Sequence, residues 1–496
     1  MMTMTKTLRN PFSQKKKPRK KSILVHLLTF LVILLLGWFI CLFITVFFMD
    51  DESSSSDIIP TVPPVIAYAI SLTSCNSESP SLVDGAATLA HSIHLNSIRR
   101  ANNNKNIDKR KRSNYDYKLY AFFHTSIFEK EHVTQNDINT NKCASILSKI
   151  GYEIKVVDIP VPLDEIQNEY LRSKLPSNGC CGEKEFIKLW SYTLVEHPFV
   201  VHLDLDTIVL QPLDELFNFA LHGTPLSTKY DDKRQYEAFV ANKKDTDSQR
   251  DEERKKDIVM WNKEEKNAIN NWSHINAFFT RDYNMRPAGK KPVGVQGGFL
   301  IVRPSLNVFA EFQSIIREGN FHQKKGWGGL GYQFYGAMTF QGIIPYYYDI
   351  IKPNTAIELN RCVYNAMADN PRDQRTVNNQ VSGKCRDGRL DCEDCRERDI
   401  DEVKTAHFTL CQKPWECLPH DFDMLQHRLC RKLFSEWYKV RADLELSWQG
   451  KNIVDEEKAN GDKPIVVGNG NFDGNQFRGF CNNSGRRGYI PMKLPE

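Results

Sequence analysis

Residues 23–49, 27 in all, form an apolar stretch without Lys, Arg, Asp or Glu. A helix needs about 20 apolar residues to cross a bilayer, so this pattern predicts a single membrane-spanning helix. Downstream the pattern breaks into short apolar runs divided by polar segments. Residues 118–123 and 152–157 read as strands, and residues 139–150 as a helix with Cys143, Ile146, Leu147 and Ile150 at helical spacing. Gly151 closes that helix. Residues 183–195 predict another helix, with Phe186, Leu189, Trp190 and Leu194 on one face. Residues 199–203 read as a buried strand, residues 298–302 as another, and residues 305–317 as the helix after it. Alternating strands and helices predict an α/β fold with an open, mostly parallel mixed sheet.

Charge gives the predicted span a direction. The formal net charge is +5, but eight basic residues and no acid lie in the first 22 positions. Removing those eight from the 66 basic residues leaves 58 against 61 acidic ones, so no nucleic-acid partner is expected. Basic residues before the span and Asp50-Asp51-Glu52 after it place the tail in the cytosol and the body in the lumen. The expectation is a single-pass anchor with a cytosolic tail (1–22), a span (23–49) and a Ser-rich stem (50–114). A catalytic domain (115–435) carrying a charged surface insertion at about 227–266 follows, then a C-terminal extension (436–496). Residues 82–98 predict a short helix inside the stem. Of 13 cysteines, Cys41 lies in the span and twelve lie beyond it, an even set that suits disulfides in an oxidising compartment. Cys392 and Cys395 also have the spacing of a redox motif or half a zinc site, but structural disulfides are the expectation. Asn271 and Asn482 begin glycosylation triplets.

The chemistry concentrates after the 199–203 strand. Asp204 and Asp206 follow its apolar residues and precede another apolar run. Two carboxylates at the C-terminal end of a buried strand stand where open α/β sheets hold ligands. In an extended turn they offer hard oxygen donors to one divalent cation with positions left for phosphate oxygens. His407 supplies a candidate imidazole ligand, and Lys413, six residues later and beside Trp415, a candidate ammonium for a diphosphate. Gln296-Gly297-Gly298 combines an amide able to bind hydroxyls with glycines that let a backbone approach a ligand. The Gly-rich loop at 326–331 and the aromatic run at 346–348 suit either sugar stacking or a core.

In this order the motifs resemble glycosyltransferase family 8, the glycogenin-like group with a GT-A fold. Lys188-Leu189-Trp190, Asp204-Leu205-Asp206, Asp214-Glu215-Leu216-Phe217, Gln296-Gly297-Gly298, Gln341-Gly342, Tyr364-Asn365 and the segment from His407 to Trp415 carry the resemblance. It implies retaining transfer of a hexose or pentose from a nucleotide sugar, in that family commonly a UDP-sugar, to a glycan or glycoprotein acceptor. Mn2+ (or Mg2+) would be bound by Asp204, Asp206 and His407. Lys188, Asp204, Gln296, Gly297, Gly298 and Lys413 would contact the donor. The chain departs from the pattern at Gln296, at Leu410 and at Phe340, which stands where the family often has an Asp. The missing carboxylate is therefore sought at Asp282, and Gln341 is the candidate for polar stabilisation. The anchor implies a Golgi (or ER) membrane with the catalytic domain in the lumen. Two other readings fit less of the pattern: a catalytically inactive lumenal binding or scaffold protein on the same fold, and a metal-dependent phosphohydrolase.

Overall fold

The computed structural model describes residues 63–77, 79–97, 113–128, 133–224, 226, 272–290, 292–377, 380–388, 392–417, 428–460, 465–467, 470–472, 480–481 and 488–495. The tail, the 23–49 span with Cys41, the 227–266 insertion, and Asn271 and Asn482 lie outside them. Among the described residues no helix is long and apolar enough to cross a membrane.

The sheet is built from β1 (Val65–Leu72), β2 (Asp116–His124), β3 (Tyr152–Val157), β4 (Val200–Leu203), β6 (Ala277–Arg281), β7 (Val295–Val302) and β8 (Ala356–Glu358), with the short β5 (Thr207–Val209) beside it. Its seven strands run in the order β8-β6-β7-β4-β1-β2-β3. β7 is antiparallel to β4 and β6, and the remaining pairs are parallel. The α/β, mostly parallel mixed sheet read from the sequence is present.

The stem expected over residues 50–114 does not extend through this region. Val65–Leu72 is β1, an interior strand of the sheet, paired with β2 along its length and with β4 from Ala67 to Ala69. Its near-continuous apolar run is what a strand buried on both faces requires. Ile66, Tyr68 and Ile70 enter the core beneath one face, and Ala67 and Ala69 the core beneath the other. The helix expected at 82–98 is α1 (Pro80–Ser97), packed into the first of these cores through Leu82, Leu89 and Ile93.

The helix predicted over 139–150 divides into α2 (Gln135–Thr140) and α3 (Lys142–Ile150). Asn141 takes an extended conformation and its side chain accepts from Ala144 N, so it caps α3 rather than continuing α2. Gly151, at φ 114°, ends α3. The helix predicted at 183–195 is instead wound as a 3-10 helix, Gly182–Thr193. Downstream come α4 (Asp214–His222), α5 (Leu306–Glu318, capped by Ser305), α6 (Phe340–Tyr346), β9 (Thr405–His407) and α7 (Arg428–Ser447). The glycine-rich and aromatic segments belong to the core: Trp327 and Tyr346–Tyr348 are buried, and Tyr192 and Tyr348 share a 2.9 Å hydroxyl contact.

No boundary falls at 436, because α7 runs through it. α7 builds a third core with Ile208, Phe408, Trp437 and Phe480, and its polar residues fasten α1. Arg441, 1% exposed, lies 3.1 Å from Asp84 of α1 and 2.7 Å from Glu445. His91 of α1 meets Asp443 at 2.9 Å. Tyr489 O–H and Met492 N donate to Asp84. Five disulfides join Cys75–Cys143, Cys362–Cys395, Cys385–Cys392, Cys411–Cys430 and Cys417–Cys481, so Cys392 and Cys395 serve two different bridges rather than a redox or zinc motif.

Removing one partner of a buried ion network strands its counter-charges. Arg441→Ala should lower stability by about 3–5 kcal/mol, read as a lower urea midpoint with an unchanged slope.

Candidate functional site

β4 delivers Asp204 to the edge of the sheet, and a tight turn follows. Asp204 N donates to Gly298 O at 3.2 Å, while Thr207 donates to Asp204 O through its amide and its hydroxyl. The chain then enters β5, which pairs antiparallel with β9 so that Thr207 faces His407. Phe408 N donates to Asp206 O at 2.9 Å. Two segments two hundred residues apart in sequence are thus held in one register, with Asp206 and His407 side by side.

Asp204, Asp206 and His407 each offer a ligand atom within 4.8 Å of the others. His407 Nε2 is 3.3 Å from Asp206 Oδ2, and its buried Nδ1 has no hydrogen-bond partner. Burial lowers the His407 pKa to about 4, so the ring is neutral at pH 7 and carries a free lone pair. Two carboxylates and a neutral imidazole form a donor set suited to a hard or borderline divalent cation. The three residues fit such an ion.

Two ammonium groups flank the carboxylates. Lys188, 6% exposed, reaches Asp204 Oδ1 at 2.9 Å and Gly297 O at 3.0 Å, and lies 3.3 Å from Glu185. Lys413 contacts Asp206 Oδ2. Burial opposes ionisation of Asp204, but Lys188 and then His407 outweigh it and hold the carboxyl below its ordinary value. Burial lowers the Lys413 pKa. The loop bearing Lys413 is fixed by Tyr438 O–H, which donates to Pro414 O, and by Trp415, whose ring abuts Gly85 of α1.

The glycines are required by close approach. A methyl group on Gly298 would collide with the His407 ring, and one on Gly297 would lie 3.3 Å from Gln341 Cγ and 3.5 Å from Lys188 Nζ. Gln341 therefore stands beside the lysine. Gln296 has a different part from the one expected: its Oε1 accepts from Gly298 N at 2.6 Å and it is buried, so it shapes the glycine turn. Phe340 is also buried, with Lys188 Nζ 5.7 Å from its ring centre. Burial raises the pKa of Asp282, which accepts from Asn284 N and is electrostatically coupled to His407.

The sequence reading missed three polar residues. Glu185 is spaced three residues before Lys188, a signal for a charge pair on a helix. Asp369 sits after the apolar Ala366-Met367-Ala368, takes Asn284 Nδ2 and Arg361 Nε at 3.4 Å each, and keeps a buried, unpartnered Oδ1. His202 lies in β4 beneath Asp204 and receives contacts at both nitrogens, from Ser71 at 3.0 Å and Ser191 at 2.8 Å. Burial lowers its pKa to about 3, so it braces the strand as a neutral ring.

No family model matches the sequence, and no curated protein matches it. Among solved structures the chain is similar to apo xyloside xylosyltransferase 1 of mouse, at 11% identity over 71% of this chain and 100% of that one, with TM-score 0.34. It is similar to the bifunctional glycosyltransferase WbbM in its apo form, at 12% identity over 79% of this chain and 52% of that one, with TM-score 0.36. It is also similar to the galactosyltransferase LgtC in complex with donor and acceptor sugar analogs, at 10% identity over 75% and 95% of the two chains, with TM-score 0.30.

Gly298→Ala should displace His407 and weaken Mn2+ binding about 10–100-fold, the range for loss of a ligand's support, with the far-ultraviolet spectrum unchanged; paramagnetic resonance of free Mn2+ measures it. Between about pH 6.5 and about 3 the unfolded chain takes up a proton that native His202 excludes. That contribution is complete above pH 6.5 and is lost as pH falls through the window. Urea midpoints of chelator-treated protein should drop from pH 7 to pH 5, with a shallower slope for His202→Gln.

Proposed function

We propose that this chain is a metal-dependent, retaining glycosyltransferase of the GT-A type, related to family 8, that moves a hexose or pentose from a UDP-sugar to a glycan or glycoprotein. The observation that carries this reading is the grouping of Asp204, Asp206 and His407 within 4.8 Å, with Lys188 and Lys413 against the two carboxylates. A pair of acids alone suits many turns. An acid pair with a neutral imidazole and two ammonium groups suits a cation together with a diphosphate.

A divalent cation bound by Asp204, Asp206 and His407, Mn2+ or Mg2+, would supply Lewis-acid neutralisation of the diphosphate. Lys413, part-exposed and resting on Asp206, is free to exchange that carboxylate for a phosphate oxygen. Lys188 is more tightly held, between Glu185, Asp204 and Gly297 O, and so fixes Asp204 and the glycine turn against the donor. Gln341 offers its amide to the sugar on the same side. Asp282, with its raised pKa, is suited to hold a proton near the reacting hydroxyl. The acceptor hydroxyl attacks the face that the diphosphate leaves, which retains the sugar's configuration.

Residues 23–49 anchor the protein as a single-pass Golgi (or ER) membrane protein, and the five disulfides support a lumenal body.

With full-length protein in detergent and a panel of UDP-sugars, one donor should be hydrolysed or transferred only when Mn2+ or Mg2+ is present. Asp206→Ala and excess chelator should each reduce that turnover to background. Wild-type turnover under either condition overturns the reading, and absence of turnover with every donor favours a non-catalytic binding role.

A further inference from the structure

Ten of the twelve cysteines beyond Cys41 form the five disulfides, and the two left are neighbours, Cys180 and Cys181. Their sulfurs lie 2.9 Å apart at the protein surface, between Gly179 and Gly182, both in left-handed conformations. Cys180 S–H donates to Glu185 Oε1 at 2.8 Å, and the other oxygen of Glu185 lies 3.3 Å from Lys188 Nζ. The thiols therefore touch a chain of contacts, Glu185 to Lys188 to Asp204, that ends in the carboxylate site.

We propose that Cys180 and Cys181 are a redox-active pair that closes reversibly into a vicinal disulfide and reports its state to Asp204 through Glu185 and Lys188. Adjacent Cα atoms are held about 3.8 Å apart, shorter than the roughly 4.4–6.8 Å that unstrained bridges span. A bond closed between neighbours at the surface is accordingly easier to reduce than the five long-range ones, which marks labile rather than structural disulfides. The thiols and Glu185 also lie close enough to share a cation. However, two thiolates on tetrahedral zinc, at about 2.3 Å from the metal, stand about 3.8 Å apart, wider than the separation here.

The chemistry balances as thiol–disulfide exchange with an external disulfide such as glutathione disulfide. Cys181, whose thiol the contact with Cys180 holds below its usual pKa, is the nucleophile. Its thiolate bonds to one sulfur of the oxidant and expels the other as a thiolate. Cys180 gives its proton to Glu185, which passes it to solvent and returns to the carboxylate, and attacks Cys181 Sγ, breaking the mixed disulfide and releasing the second thiolate. The oxidant gains two electrons, and the released thiolates regain protons from solvent. Closure removes the S–H that Glu185 accepted. Glu185 is then answered by Lys188 alone, which draws that ammonium from Asp204 and leaves the carboxylate freer to bind a cation.

The disulfide stands independently of the proposed activity; its effect on Asp204 rests on the metal reading. Full-length protein in detergent is equilibrated with glutathione buffers of graded poise, its free thiols are alkylated, and it is digested with trypsin. Residues 175–184 form a peptide whose two cysteines are Cys180 and Cys181. The peptide should pass reversibly from doubly alkylated to an unalkylated form lighter than the dithiol by two hydrogens, while the five other bridges stay closed. A peptide that is fully alkylated at every poise, or a zinc ion bound to both thiolates, overturns the proposal. Mn2+ should bind the oxidised form about three- to tenfold more tightly, the size of one ordinary hydrogen bond's net effect, and this difference should vanish in Cys180→Ser/Cys181→Ser. Equal affinities in the two states overturn the coupling. Failure to bind Mn2+ in either state overturns the metal reading and the coupling with it, and the peptide mass still decides the disulfide.

Discussion

Two carboxylates brought within 4.8 Å at the end of a buried strand repel by up to roughly 3–4 kcal/mol at an effective dielectric near 20. Much of the fold around them answers that repulsion. Lys188 reaches Asp204 from the 3-10 segment, Lys413 reaches Asp206 from the loop after β9, and a neutral imidazole adds no competing charge. The lysines satisfy the pair while no cation is bound, and they are also the groups a diphosphate needs. Under the proposed function the same ammonium groups would serve stability in one state and ligand recognition in the other.

The 3-10 winding of Gly182–Thr193 explains how one element serves several partners. At three residues per turn, positions three apart lie above one another. Glu185, Lys188 and Ser191 form such a column: Glu185 meets Cys180 and Lys188, Lys188 meets Asp204, and Ser191 meets His202. An α-helix would turn these side chains progressively away from β4. The sequence shows an apolar face with Phe186 and Leu189 and predicts a helix, but hydrophobic spacing alone does not distinguish windings this close. The polar column was the more informative signal, since its strict period of three fits the 3-10 form.

Elements whose apolar run is unbroken were legible in the sequence: the strand at 152–157 formed as expected, the one at 118–123 is longer and the one at 199–203 one residue shorter. The grouping of Asp204, Asp206 and His407 was legible because they are polar groups beside or within apolar strands, an arrangement that needs a reason. Val65–Leu72 was not, because the Ser-rich segment before it and the basic segment after α1 have the composition of a linker and hid one buried strand between them. Gln296 was assigned to a ligand because an amide beside two glycines looks accessible; in the fold its oxygen is engaged by the turn it sits in. Asp369 escaped notice because its partners, Asn284 and Arg361, come from elsewhere in the chain.

The interior position of β1 has a kinetic consequence. It is the first strand of the sheet to be synthesised, yet β4, which covers one of its edges, is completed about 130 residues after β1 ends. At roughly 5–20 residues per second the strand waits on the order of ten seconds with that edge unpaired. An apolar strand with open backbone groups is a template for pairing with other chains. Parallel pairing over so long a loop also makes closure slow. The yield of this protein should therefore be governed less by the stability of the finished sheet than by how well its earliest strand is shielded during the interval before its partner arrives.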